Sequence, residues 1–188
     1  MSTQTIEADT SQLSPLLPLE KDFDLTEIIH GVEVMSPSPF RKHQRIISNL
    51  SDIISPYIRK AKLGYVYISP LDVIFEENLN RLQPDLLFIR KGNMRIAQDW
   101  IRGVPDMVCE VVSQGSYHKD TQVKLAIYEH YKVPEYWIVI PKLKTVDILT
   151  IEGEKYTLFS YAEGTGTVYS KIIDGLNIDI KDIFEEEI

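Results

Sequence analysis

Asp106-Met107-Val108-Cys109-Glu110-Val111-Val112-Ser113 is the stretch on which the fold turns. It reads as a short buried strand, apolar and rich in valine, with an acid set into it. Strand side chains alternate between two faces, so Glu110 shares its face with Val108 and Val112. Nothing else polar within the run can pair with it locally. A carboxylate buried alone is costly, so such a group is protonated, ion-paired or bound to a cation. Asp85 poses the same question where it opens a second apolar strand, residues 85–90, directly behind Pro84. Two acids projecting from neighbouring strands form an oxygen-rich pocket suited to Mg²⁺, which commonly takes one or two protein carboxylates together with waters and phosphate oxygens. An ion held there polarises a phosphoryl group and acidifies bound water. A nearby lysine adds stabilisation of the developing negative charge.

Outward from this pair, residues 43–62 carry Ile46, Ile47, Leu50, Ile53, Ile54, Tyr57 and Ile58 at the spacing of an amphipathic helix. Pro56 is expected to kink or divide that helix, and Gly64 to end it. Residues 65–69 and 71–75 read as strands, whereas 76–83 and 91–104 read as polar connections. A second helix is predicted over 118–132, with Val123, Ile127 and Tyr131 on one stripe. It leads into an apolar strand over 135–140, then a hairpin of 146–151 and 156–161 around 152–155. Residues 1–18, dominated by Ser, Thr, Gln and Pro, read as an arm before a single domain over 19–188. The element order predicts a mixed β-sheet flanked by helices, in the α/β or α+β range, with additional β-hairpins.

A chain of 188 residues can bury a core without staples. Cys109 is the only cysteine, so no intrachain disulfide can form, and a reducing compartment is the natural reading. No apolar run reaches the length needed to span a bilayer, nor does the N-terminus carry a secretory pattern, so a cytoplasmic protein is expected. The net charge of −8 is concentrated at the ends of the chain. Six acids against Lys21 in residues 1–30, and four against Lys181 in 181–188, account for all of it. Residues 41–62 instead hold Arg41, Lys42, Arg45, Arg59, Lys60 and Lys62 against Asp52 alone, a local basic patch suited to phosphate.

Four ordered motifs carry a more specific signal. They are Gln83-Pro84-Asp85-Leu86-Leu87-Phe88-Ile89, Gly103-Val104-Pro105 leading into the opening stretch, Asp120-Thr121-Gln122-Val123-Lys124, and Val133-Pro134-Glu135-Tyr136-Trp137. With Gly31-Val32-Glu33-Val34-Met35-Ser36-Pro37-Ser38-Pro39 and His43 upstream, they resemble the bacterial Uma family of endonucleases, over about residues 24–150. The resemblance implies the PD-(D/E)XK restriction-endonuclease-like fold and Mg²⁺- or Mn²⁺-dependent hydrolysis of nucleic acid, expected to be DNA. It makes Asp85 and Glu110 metal ligands, with the Val111 carbonyl as a third. Val112 stands where the superfamily motif has lysine, and the resemblance moves that role to Lys124. Glu33 and His43 are further candidates. Restriction-endonuclease-like domains often dimerise, so a homodimer is expected.

The sequence departs from the family in two places. Ser113-Gln114-Gly115-Ser116 replaces a Ser-Pro-Ser-Thr loop, and Val139-Ile140-Pro141 replaces Val-Asp-Pro. These changes, with Val112, leave open a catalytically silent nuclease-fold binding module. A metal-dependent hydrolase of small phosphoesters fits the same residues. Each chemical assignment also has a plain structural alternative. Asp85 can cap its strand, Lys124 can pair with Asp120 four residues earlier, and His43 can occupy a solvated helix start. Asp106 reads as strand entry rather than a ligand. Tyr128, Tyr131, Tyr136 and Trp137 read as core, with the adjacent Tyr136 and Trp137 also able to mark a dimer surface.

Overall fold

The computed structural model describes residues 25–35, 38–113 and 115–185. The arm expected over 1–18 lies outside them, as do Glu186 and Glu187 of the acidic C-terminal run.

The isoleucine-rich periodicity forms one helix, α1 (Arg41–Ala61), which buries Ile46, Ile47, Leu50, Ile54 and Ile58. It runs unbroken through Pro56, against the expectation of a divided helix. It ends at Lys62, which takes a left-handed conformation with φ 57°. Gly64 has a different task from the predicted helix stop. It opens a strand so close to its neighbour that an added Cβ would lie 2.0 Å from the Ile89 carbonyl oxygen.

The strands in chain order are β1 (Thr26–Ile29), β2 (Val32–Met35), β3 (Gly64–Ile68), β4 (Val73–Glu76), β5 (Asn80–Leu82), β6 (Leu86–Arg90) and β7 (Ile101–Arg102). They continue with β8 (Met107–Val111), β9 (Glu135–Ile140), β10 (Thr145–Glu152), β11 (Lys155–Glu163), β12 (Thr167–Tyr169) and β13 (Asn177–Asp179). The main sheet has the order β11-β10-β9-β8-β6-β3. Only β8 and β9 run parallel in it, and the connection between them carries the second helix. A second sheet has the order β2-β1-β5-β4-β7. Its strands β5 and β7 fall in segments read from sequence as loops. Their two or three residues are too few to show an alternation.

Two apolar layers sandwich the main sheet. Phe88, Met107, Cys109, Val111, Trp137 and Val139 pack on the buried face of α1. Leu87, Ile89, Val108, Val112, Tyr136 and Ile138 pack on the other side, against Ile127 and Tyr128 and residues of the second sheet. Glu110 belongs to this second face. The helix that covers it begins with a π-helical turn, Lys119–Lys124, and continues as α2 (Leu125–His130). The predicted stripe of Val123, Ile127 and Tyr131 packs on the core, and Asp120, Lys124 and Tyr128 are buried on the same face. π-Helical turns inside helices often mark functional sites.

Glu135, at the start of β9, is fully buried yet well supplied with donors. It accepts from Trp137 Nε1 and Ser170 Oγ at 2.7 Å, and from the backbone N–H groups of Lys171 and Ile172 at 2.6 and 3.2 Å. This carboxylate ties the segment after β12 to the sheet. Tyr136 and Trp137 beside it are fully buried, which removes them as a dimer surface.

Gly64→Ala should drive a methyl group into the β6 backbone, which cannot yield as a side-chain tip would. A loss of about 1–3 kcal/mol or more is expected from urea denaturation. A variant as stable as the parent would contradict the packing described.

Candidate active site

β6 and β8 are antiparallel with Leu86 opposite Cys109. Continuing that register by one residue sets Asp85 against Glu110, so the two acids flagged in the sequence meet at one end of the strand pair. Asp85 Oδ2 accepts from the Val111 N–H at 2.7 Å and lies 3.2 Å from His43 Nε2, which α1 delivers. Glu110 Oε1 accepts from Lys124 Nζ at 2.8 Å and from the Tyr128 hydroxyl at 2.6 Å. Among the described residues, all hydrogen bonds to these carboxylates fall on those two oxygens.

A third acid, missing from the sequence-based set, completes the network. Glu27 on β1 takes Lys124 Nζ on Oε1 at 2.8 Å, with the Gln83 N–H at 2.9 Å on the same oxygen. Its Oε2 takes Lys119 Nζ at 2.8 Å. The signal was present, because Glu27 interrupts Leu25-Thr26-Glu27-Ile28-Ile29 much as Glu110 interrupts its valines. Lys124 therefore bridges Glu27 and Glu110, and the expected pairing with Asp120 is not its principal contact. Asp120 is buried beside it.

The charges are unequal. Glu27, Asp85, Glu110 and Asp120 face Lys119, Lys124 and His43. Burial, with repulsion from Asp120, Asp85 and Glu27, pushes the Glu110 carboxyl well above the usual range despite Lys124. Burial likewise raises Asp120, only partly opposed by Lys124 and the Ser116 hydrogen bond. Burial works against the Lys124 charge, but Glu110, Glu27 and Asp120 outweigh it and hold the ammonium above its ordinary value. Burial also acts against Glu27, and Lys124 and Lys119 more than compensate, leaving it below the carboxylate norm. For His43, burial disfavours the charged ring, yet the Asp85 hydrogen bond and charge leave its pKa raised.

These groups lie in a cleft of about 440 Å³. Asp85, Glu110, Val111, Lys124 and His43 all line it. Glu33 does not: it is exposed on β2, and the cleft is lined by the next two residues, Val34, the partner of Glu27 across the β1–β2 hairpin, and Met35. Asp106 is also elsewhere, accepting from the Arg90 N–H at 2.9 Å and Asn93 Nδ2 at 3.1 Å. Val112 is core. Among the described residues no three His, Cys, Asp or Glu side chains gather into a ready cage for an ion. Two carboxylates with one oxygen each left over, in a cleft with excess negative charge, suit an ion that keeps waters and substrate oxygens instead. No helix among the described residues is long and apolar enough to cross a membrane.

The mixed sheet, its covering helices and the acid pair at the head of two central strands define a nuclease-like α+β fold. The family model named Uma2, described as "Putative restriction endonuclease", matches residues 12–181, and the chain belongs to that family. A crystal structure titled as a putative nuclease of DUF820, from Anabaena variabilis ATCC 29413, superposes with a TM-score of 0.66 at 20% identity. The match covers 85% of this chain and 89% of that one, and it shows a shared fold. No curated protein matches.

Lys124→Met should be strongly destabilising, because it strands two buried acids without their common cation. A loss of about 3–5 kcal/mol is expected by chemical denaturation. Adding Glu110→Gln should recover part of it, since one of the uncompensated charges is then gone. A single variant within 1 kcal/mol of the parent would contradict the bridge.

Proposed function

We propose that the chain is a Mg²⁺- or Mn²⁺-dependent endonuclease that hydrolyses phosphodiester bonds of nucleic acid, with DNA as the substrate and the cytoplasm as its place of action. The observation that carries this reading is the convergence of Asp85 and Glu110, each with a carboxylate oxygen that takes no hydrogen bond among the described residues, on one cleft with Lys124 between Glu110 and Glu27. Asp85, Glu110 and the Val111 carbonyl would hold the ion, which when bound supplies Lewis-acid polarisation of the phosphate and acidifies water.

The chain's own residues supply the rest. Lys124, kept charged by its two acids, acts as a donor and a fixed positive charge, not as a base. Two of its N–H groups serve Glu27 and Glu110, which leaves a third for the reacting groups. Tyr128 donates to Glu110 Oε1 and so fixes which oxygen of that carboxylate remains available. His43 does the same for Asp85. Of the basic residues in 41–62, Arg41, Lys42 and Arg45 flank the cleft residues Phe40, His43 and Gln44, whereas Arg59, Lys60 and Lys62 lie near the far end of a helix about 30 Å long. The phosphate-contacting surface is therefore assigned to the first group. Two copies are expected to act together as a homodimer, and sedimentation reads that state directly.

Purified protein should nick plasmid DNA with Mg²⁺ or Mn²⁺. Glu110→Gln should slow this by about a thousandfold or more, equivalent to about 4 kcal/mol of barrier. Calorimetry should register metal binding that Asp85→Asn weakens. Intact DNA and RNA, together with no heat at millimolar metal, would instead favour a silent binding module. Turnover of a chromogenic phosphodiester without DNA cleavage would replace nucleic acid by a small phosphoester.

A further inference from the structure

The cleft has two unlike walls. One, built from the β1–β2 hairpin and the residues leading into α1, presents Leu25, Val34, Met35, Pro39 and Phe40, with Ser38 its small polar member. The other is polar, formed by Ser113, Gly115, Ser116 and Lys119. Phe40 and Met35 are each 79% exposed. Large apolar side chains clustered in the open beside polar groups mark a surface that something covers.

A nucleotide has the same division. Its base offers an apolar face, and its sugar and phosphate are polar. With the acid pair and Lys124 on the floor, a phosphate above them would send its base toward Phe40 and Met35, and its sugar toward the serines and Lys119. Such a base must be out of the stack. Within a duplex the base faces are already covered, and the apolar wall would meet sugar and phosphate edges instead. The volume agrees, since about 440 Å³ falls in the range that takes one small ligand and not a paired step. Charge agrees as well. Among the described residues the cations near the cleft, Arg41, Lys42, Arg45 and Lys119 beside Lys124, form a small group and not a long stripe that would track a duplex. An aromatic platform beside a few cations is the pattern that grips single strands.

Resting on the nuclease reading above, we propose that the wall of Phe40, Met35 and Leu25 is a stacking platform for an unpaired base, so that the substrate is single-stranded nucleic acid or a strand locally opened next to the scissile phosphate. The test reads binding rather than turnover, using the full chain with Ca²⁺ in place of Mg²⁺. Fluorescence anisotropy of a short labelled oligothymidylate is compared with that of its duplex with oligoadenylate. The single strand should bind at least about tenfold more tightly. Phe40→Ala should weaken it about tenfold, Phe40→Trp should preserve it, and neither should alter duplex binding. Phe40 is exposed, so both variants should melt like the parent.

Equal or tighter duplex binding, no binding of either probe, or indifference to Phe40→Ala would overturn the proposal. So would dissociation of a dimer by Phe40→Ala, which would assign the wall to a second copy. If the discrimination holds but no DNA is cut, the hydrolysis reading alone falls. If duplex is cut with no response to Phe40→Ala, the hydrolysis reading stands and the platform falls.

Discussion

Lys124 carries its charge in the interior, 2.8 Å from Glu110 on one side and 2.8 Å from Glu27 on the other. Each of the three groups comes from a different part of the fold. Glu110 lies on a central strand of the main sheet, Glu27 on a strand of the second sheet, and Lys124 in the π-helical turn that covers both. Burying any one alone would be prohibitive, so the three must arrive together. Arriving together, they fix how the second sheet sits on the first and how the covering helix is rotated. Lys119 on Glu27 and Tyr128 on Glu110 extend the same bridge outward. The cleft is what remains once that bridge is closed.

The network also explains why the covering helix carries charge on its buried face. Val123, Ile127 and Tyr131 pack on the core as their spacing predicts. Asp120 lies three and seven residues from Val123 and Ile127, and Lys124 three and seven from Ile127 and Tyr131, so both share that face and reach the cleft beside it. The fully buried members of the face are Asp120 and Lys124, within the π-helical turn, and Ile127 and Tyr128, within α2. Local apolar periodicity is joined here by a long-range ionic contact, 97 residues apart in sequence for Lys124 and Glu27.

The longer elements were legible because their signals are local. The α1 periodicity, the valine-rich β8, the run of β9 and the hairpin of β10 and β11 all follow from nearest-neighbour pattern. The two- and three-residue strands β5 and β7 were not, since they exist only through partners far away in the chain. Gly64 misled for a related reason: its role depends on the Ile89 carbonyl, not on the helix before it. In the site, Asp85, Glu110 and Lys124 could be singled out from an acid among valines and from ordered motifs. Choosing Glu33 over Glu27 was a matter of register. The two stand on facing strands of one hairpin, and only pairing with Val34 shows which of them looks into the cleft.

The claim on which the functional account stands is that Asp85 and Glu110 hold one divalent ion through the oxygens their protein partners leave open. A crystal soaked in Mn²⁺ and measured for anomalous scattering tests it most directly. The account predicts a single strong peak in the cleft, at bonding distance from Asp85 Oδ1 and Glu110 Oε2, with Lys124 still bridging Glu27 and Glu110. A cleft without a peak at millimolar Mn²⁺, or a peak ligated by other side chains, would contradict it.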